Sequence, residues 1–379
     1  MDKRIYLSPP DLTGNEIQYV MQAFETNWIA PLGPNVDRFE QMVASRIGVS
    51  SSLALSSGTA AMHLAIKYLG VSQGDTVFCS SLTFAGSCNP VCYEGGELVF
   101  IDSEPDSWNM SPIALEQALS NAKKESRLPK AVIIVNLYGQ SADMDRLLPL
   151  CEAYNVPVIE DAAESMGAYY KGKNSGTFGY FGIYSFNGNK IVTTSGGGML
   201  VSNDSQAIEK CRFWSTQARE KAIHYEHKEV GYNYRLSNVL AGIGMGQYEQ
   251  IEQKIAKKKA IYDTYSKAFK DIQEISMFPV PDWSQPNYWF TVLLINQTSS
   301  ILPVSIINAL EDKNIESRPV WQPMHMQPVF SKCMFYSHTS GRTSIAEDLF
   351  RWGVCIPSGT SLTETEQDKV ITIIRNQFL

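Results

Sequence analysis

Tyr184-Ser185-Phe186-Asn187-Gly188-Asn189-Lys190-Ile191-Val192-Thr193-Thr194-Ser195-Gly196-Gly197-Gly198 is the stretch on which the reading of this 379-residue chain turns. It opens as the end of an apolar run, Gly182–Phe186, and closes on three glycines from which a second run, Gly198–Val201, departs. A lone lysine is usually a solvated surface group. Lys190 is instead bracketed by a strand and a glycine triplet, a poor setting for a surface lysine. In a tight, desolvated site a lysine loses proton affinity and can form a Schiff base with a carbonyl. The triplet lacks the GxGxxG spacing and precedes a strand rather than a helix, which excludes a dinucleotide dehydrogenase.

Outward from this stretch, apolar runs of strand length recur at Ser52–Leu55, Thr76–Cys79, Leu98–Ile101, Ala131–Leu137 and Val156–Ile159. Helical patterns lie between several of them, such as Ala60–Leu69 and Pro112–Ala122. The latter starts with Ser111 as N-cap and Pro112 at the first helical position. Two further helices fit Glu16–Glu25 and Asp37–Ile47. The alternation predicts an α/β layer built on a mostly parallel sheet. After Tyr234 the texture changes. Asn238 to about Phe269 reads as one long helix, with Lys254, Lys257, Lys258 and Lys259 on its solvated side. Beyond it come a strand (Trp289–Ile295), a helix (Val304–Lys313) and a proline-rich turn (Arg318–Pro328). The length suits two domains. They are expected at 1–245, a large domain with residues 1–15 packing on the small one, and at 246–379, a smaller α+β domain.

Composition narrows the classes of function. Hydrophobic residues make up 44% and charged ones 19%, as in an ordinary globular protein. Acidic groups outnumber basic ones, 39 to 32, for a net charge of −7. No basic stripe compensates, so neither nucleic acid nor an anionic membrane is an expected partner. The seven cysteines are scattered and no CxxC occurs, so buried free thiols are expected and no metal site. His224 and His227 lack a carboxylate motif beside them and read as structural. Met1-Asp2-Lys3-Arg4 leads into no apolar segment, and no apolar run approaches membrane-spanning length, so a cytoplasmic protein is expected.

Three more features share the order of a single site. Ser56-Ser57-Gly58-Thr59-Ala60-Ala61 follows a strand and opens a helix, where free backbone N–H groups and the helix dipole favour a phosphate. Asp161, in Val158-Ile159-Glu160-Asp161-Ala162-Ala163-Glu164, stands where a buried parallel strand ends. There α/β sheets present their ligand groups, although such an aspartate could equally cap the next helix. Gly231-Tyr232-Asn233-Tyr234-Arg235-Leu236-Ser237-Asn238 is, without context, only an aromatic turn.

In this order the motifs resemble the fold-type I pyridoxal-phosphate enzymes, and more closely the sugar aminotransferases of the DegT/DnrJ/EryC1/StrS family. The resemblance runs from Gly33-Pro34 and Phe39-Glu40 through Thr83-Phe84, Leu137-Tyr138-Gly139, Asp161, Lys190 and Gly196–Gly198 to Arg318-Pro319 and Met324-His325. A narrower likeness links Leu7-Ser8-Pro9-Pro10, Ile29–Gly33, Ser215–Glu220 and Tyr225-Glu226-His227 to aminotransferases that make UDP-4-amino sugars for bacillosamine-type glycans.

The resemblance implies a role for each residue. Lys190 would carry pyridoxal 5'-phosphate and, once released, act as the base between substrate carbon and cofactor. Asp161 would pair with the pyridine nitrogen. Gly58, Thr59 and Ser185 would hold the phosphate, completed by Asn233 from the other subunit of a homodimer, and Phe84 would stack on the ring. Glu164 stands where many members carry glutamine, near the phenolic oxygen. A carboxylate there would repel the phenolate unless protonated or turned toward the sugar. Arg318 and His325 would line the nucleotide-sugar entrance. The implied reaction moves an amino group from L-glutamate to C4 of a UDP-linked 2-acetamido-2,6-dideoxy-4-keto-hexose. The alternatives are another nucleotide-linked keto sugar, such as a dTDP-linked one, or a regulatory protein that keeps the fold without turnover. A sugar 3-dehydrase is disfavoured, because that branch replaces the lysine with histidine.

Overall fold

A computed structural model of the chain describes residues 3–12, 14–339 and 344–379. Met1, Asp2 and Thr13, which belong to the N-terminal segment 1–15, lie outside the described residues. Among those described, no helix is long and apolar enough to cross a membrane.

The expected apolar runs become strands of one eight-stranded sheet. Its order is Ser51–Leu55, Gly198–Ser202, Phe181–Ser185, Val158–Asp161, Ala131–Val135, Thr76–Ser80, Glu97–Ile101 and Met334–Tyr336. Only Gly198–Ser202 runs antiparallel to its neighbours. The strands read as continuous apolar runs because both faces are covered. Ile133 points into a core shared with the helix Gly58–Tyr68, while Val132 and Ile134 point into another shared with Pro112–Lys124. From Thr76–Ser80 the chain first adds Glu97–Ile101 on one side and then crosses back to Ala131–Val135 on the other. Such a switch opens a crevice beyond the carboxyl ends of the strands.

A second sheet, wholly antiparallel, has the order Ile275–Met277, Thr291–Ile295, Gly353–Ile356 and Arg318–Pro319. Helices Ile251–Phe269, Pro303–Glu311 and Glu364–Arg375 cover it around Leu293, Tyr265 and Val370. The segment after residue 245 also returns to the large layer. Met334–Tyr336 pairs with Glu97–Ile101, and Ser284–Gln285 pairs with Tyr169–Tyr170. The N-terminal segment lies on the second unit, Ile5 N–H donating to Asn314 O and Ser358 N–H to Leu7 O.

Three sequence expectations are corrected. The single long helix is two, Asn238–Glu249 and Ile251–Phe269, broken at Gln250. Lys254 and Lys258 are not solvated but buried, because the helix face carrying them meets the N-terminal segment and a turn of backbone carbonyls. Lys254 Nζ donates to Asp11 O at 3.0 Å, and Lys258 Nζ to Ser358 O at 2.9 Å and Trp289 O at 3.0 Å. Their side chains satisfy the ammonium with carbonyl dipoles instead of water, and burial lowers the proton affinity of Lys258 to a pKa of about 7. Of the cysteines, Cys92 is exposed and Cys333 half-buried, and the other five are buried.

Asp102, fully buried at the end of Glu97–Ile101, ties the sheet edge to the helix Ile345–Trp352. Its carboxylate accepts N–H groups from Ser103, His338, Ile345 and Ala346 at 2.8, 3.0, 3.2 and 3.1 Å. Asp102→Ala strands these donors without an acceptor. The expected loss is about 2–4 kcal/mol of unfolding free energy, measured by denaturant titration.

Candidate active site

The carboxyl ends of three parallel strands stand level, Val135 opposite Asp161 and Asp161 opposite Ile183. Above them opens a cavity of about 560 Å³. Its floor and walls bring together Gly58, Thr59, Phe84, Asp161, Glu164, Ser185, Lys190 and Arg318 from segments far apart in sequence.

One end of the cavity is the start of the helix Gly58–Tyr68. Ser57 caps it by accepting the Ala60 N–H at 3.0 Å, which leaves the first N–H groups of the turn outside the helical ladder. Ser185 flanks this end. Gly198 explains the value of the glycine triplet, since a Cβ there would lie 2.3 Å from Gly58 N. Only a glycine lets the antiparallel strand slide under the Ser57-Gly58 turn. Backbone donors, a hydroxyl and a positive helix end form a cradle for a phosphate.

Asp161 is buried on the floor. Its Oδ2 accepts the Ser87 hydroxyl at 2.6 Å, Oδ1 accepts the Ala163 N–H at 3.1 Å, and Thr83 Oγ1 lies 2.7 Å from Ser87 Oγ. Burial raises its pKa, and Ser87, Ala163 and the Lys190 charge pull it back. A carboxylate so oriented suits a protonated ring nitrogen.

Lys190 Nζ stands 3.7 Å from Glu164 Oε1 and 3.7 Å from the centroid of the Trp289 ring. Burial lowers the proton affinity of Lys190, against the favourable fields of Glu164 and Asp161. The same burial pushes Glu164 up to about 7, against the charge of Lys190 and the N–H of Tyr138, which Glu164 Oε2 accepts at 2.7 Å. Burial thus shifts both groups toward their neutral forms, the direction that favours proton transfer between them.

Phe84 is on the cavity wall, 64% exposed, with its ring 6.0 Å from Trp321. Arg318 reaches the mouth and donates to Glu316 Oε1 at 2.8 Å. Two sequence-predicted residues are not on this wall. Asn233 is exposed, on a turn bridged to Thr216. His325 lies behind it, 2.6 Å from Ser81 Oγ and 3.3 Å from Glu347 Oε1, stacked on Phe335. No group of His, Cys, Asp or Glu among the described residues could hold a metal ion. Sequence reading gave no role to Ser87, Tyr138 or Trp289, although Leu137-Tyr138-Gly139 carries part of the family resemblance. Tyr138 acts through its backbone N–H, which no side-chain pattern marks, and Ser87 and Trp289 belong to no spaced motif.

The cradle, Asp161 and Lys190 fit one molecule bearing a phosphate, a basic ring nitrogen and a carbonyl, which is pyridoxal 5'-phosphate. Comparison with known proteins agrees. The sequence pattern described as the DegT/DnrJ/EryC1/StrS aminotransferase family matches residues 10–375. The chain is 54% identical over 378 residues to EpsN of Bacillus subtilis (strain 168), provisionally named a pyridoxal phosphate-dependent aminotransferase. The match covers 100% of this chain and 97% of that one. It is 36% identical to a GDP-perosamine synthase of Escherichia coli O157:H7, over 96% of both chains. A crystal structure of a DegT DnrJ EryC1 StrS aminotransferase from Brucella abortus superposes with a TM-score of 0.88. It is 27% identical, over 96% of this chain and 95% of that one.

The raised pKa of Glu164 has a stability signature. The folded chain holds this proton up to about pH 7 and the unfolded chain releases it near 4.5, so the contribution of the group is present below 4.5 and lost as pH rises through 7. In cofactor-free protein, the stability of wild type minus that of Glu164→Gln should fall by roughly 1–3 kcal/mol between pH 5 and 8. Denaturant titrations at the two pH values measure it.

Proposed function

The chain belongs to the DegT/DnrJ/EryC1/StrS aminotransferase family, and we propose that it moves the amino group of L-glutamate to C4 of a UDP-linked 2-acetamido-2,6-dideoxy-4-keto-hexose. It is a nucleotide-sugar transaminase of fold-type I that uses pyridoxal 5'-phosphate. The observation that carries the assignment of roles is the convergence of Lys190, Asp161 and the Gly58-Thr59 turn in one cavity.

Bound pyridoxal phosphate supplies a carbonyl that amines attack and a ring that delocalises the electrons of a substrate carbanion. The chain supplies the rest. Gly58 and Thr59 N–H groups and the Ser185 hydroxyl would hold the phosphate. Asp161, fixed by Ser87 and the Ala163 N–H, holds the proton on the ring nitrogen. Lys190 Nζ would hold the cofactor through its carbonyl carbon and, when free, would take a proton from the substrate carbon and return it. Glu164, 3.7 Å away, accepts a proton from that amine or supplies one. Phe84 and Arg318 line the cavity; Phe84 would pack against the cofactor and Arg318 would meet the substrate's diphosphate.

The homodimer rests on two observations. Asn233 is exposed and off its own cavity, the placement required of a residue that completes a neighbouring copy's phosphate site. Ile17, Met21, Phe24, Trp28 and Ile29 are large apolar side chains 48–67% accessible along one stretch of chain, the kind of surface a partner copy would cover. The stretches at Leu7–Pro10, Ile29–Gly33 and Ser215–Glu220 support the UDP-linked substrate, and with it a place in bacillosamine-type glycan synthesis in the cytoplasm. The likeness to a GDP-perosamine synthase favours a second reading, a GDP-linked keto sugar.

Two measurements test the proposal. Borohydride reduction of the purified protein should bleach its visible band and add a pyridoxyl group to the peptide containing Lys190, and Lys190→Ala should show neither. With L-glutamate as donor, UDP-, GDP- and dTDP-linked 4-keto sugars should be offered in parallel. The UDP substrate is expected to lead in kcat/KM by at least about tenfold, some 1.4 kcal/mol of transition-state binding, and a GDP lead would establish the second reading.

A further inference from the structure

Asn287-Tyr288-Trp289-Phe290 crosses from the second sheet to the cavity, and Trp289 is its most constrained residue. The indole is 1% exposed and lines the cavity. Its Nε1–H donates to Asn189 O at 2.7 Å, the residue immediately before Lys190. Its face receives Lys190 Nζ at 3.7 Å from the ring centroid. Its own N–H donates to Asn287 Oδ1 at 2.9 Å, and Asn287 Nδ2 donates onward to Glu164 O at 2.7 Å. Its carbonyl accepts Lys258 Nζ at 3.0 Å, and Phe290 stacks on it at 3.9 Å.

We propose that Trp289 is the positioning residue of Lys190: it grips the backbone before the lysine, and its ring face holds the amine opposite the Glu164 carboxylate. This rests on the assignment of Lys190 as the reacting amine. A free lysine has four side-chain torsions and loses reactivity whenever it swings away, so a surface that fixes Nζ supplies proximity directly. A flat indole suits the task. It attracts the ammonium through its quadrupole yet offers no lone pair to compete for the amine's proton. The groups facing Nζ are few. Glu164 and Asp161 lie on the side of the strand end and Trp289 opposite, with the Lys258 ammonium behind the Trp289 carbonyl and the Glu316–Arg318 pair at the mouth. The carboxylates and the indole favour the charged amine, while burial opposes it.

The test replaces the indole face without changing its shape. A multiply fluorinated tryptophan placed at position 289 keeps the volume and the Nε1–H but weakens the negative face. In the full chain stripped of pyridoxal phosphate, the pH dependence of trace acetylation, read by mass on the Lys190 peptide, reports the titration of that amine. The midpoint should fall by about half a unit or more in the fluorinated protein. Trp289→Leu, which loses both the face and the Asn189 bond, should slow recapture of pyridoxal phosphate about tenfold at a pH where Lys190 is neutral. An unchanged midpoint in the fluorinated chain, or recapture by Trp289→Leu at the wild-type rate, would overturn the proposal. Neither readout involves a sugar, so a wrong nucleotide-sugar assignment leaves the test intact. If the Lys190 peptide of the wild type takes up no pyridoxyl group on reduction, the assignment of Lys190 itself fails, separately.

Discussion

Two carboxyl groups and an amine are held out of water within one small cavity, and the structure around them answers the cost of that burial. Each charge alone would be driven to neutrality in such a place. Asp161 escapes because the Ser87 hydroxyl and the Ala163 N–H both point at it. Glu164 has only the Tyr138 N–H and the more distant Lys190. The two carboxyl groups thus differ in environment more than in chemistry. The Asp161 carboxylate is met by two donors, whereas that of Glu164 is met by one N–H and lies beside an amine. A glutamate at position 164 supplies a titratable group where an amide could only donate or accept hydrogen bonds.

The sheet makes this arrangement possible. Buried parallel strands end in register, so Asp161 and Ile183 are neighbours by pairing and Ser185 follows two residues on. The antiparallel Gly198–Ser202 strand then passes beneath the phosphate end, at a distance that only glycine permits. The second unit contributes from above. Trp289 and Trp321 reach the cavity from connections of the smaller sheet, Arg318 from its edge strand, and the N-terminal segment adds Leu7. Lys258 joins Ser358 and Trp289 through their carbonyls, locking helix, segment and wall together.

Much of this was legible in the sequence because its physics is local. A strand covered on both faces must be apolar throughout, so all seven strands expected from apolar runs appear at nearly the expected bounds. Caps such as Ser111, and the glycine turn before a helix, act over three or four residues and read directly. What failed to read was decided by distant chain. Helical periodicity set Lys254 and Lys258 on a polar face, and it could not know that Asp11, Ser358 and Trp289 would cover that face with carbonyls. Met334–Tyr336 joins the large sheet as an edge strand, half-exposed and too short to stand out as an apolar run. His325 resembles an entrance residue by its neighbours in sequence, but its ring is spent on Ser81, Glu347 and Phe335.

Net charge shows the same division between local and global. A value of −7 repels anionic polymers, whose binding depends on many cations acting over long range. A phosphate group needs no such surplus. At the Gly58-Thr59 turn it meets oriented N–H dipoles and a helix end, which carry no formal charge and so leave the total unaltered. Arg318, which also lines the cavity, carries a full cation, and Glu316 already neutralises part of it. A net negative charge is therefore compatible with the proposed binding of a phosphorylated cofactor and a nucleotide sugar, because fields of oriented backbone N–H groups act over short range.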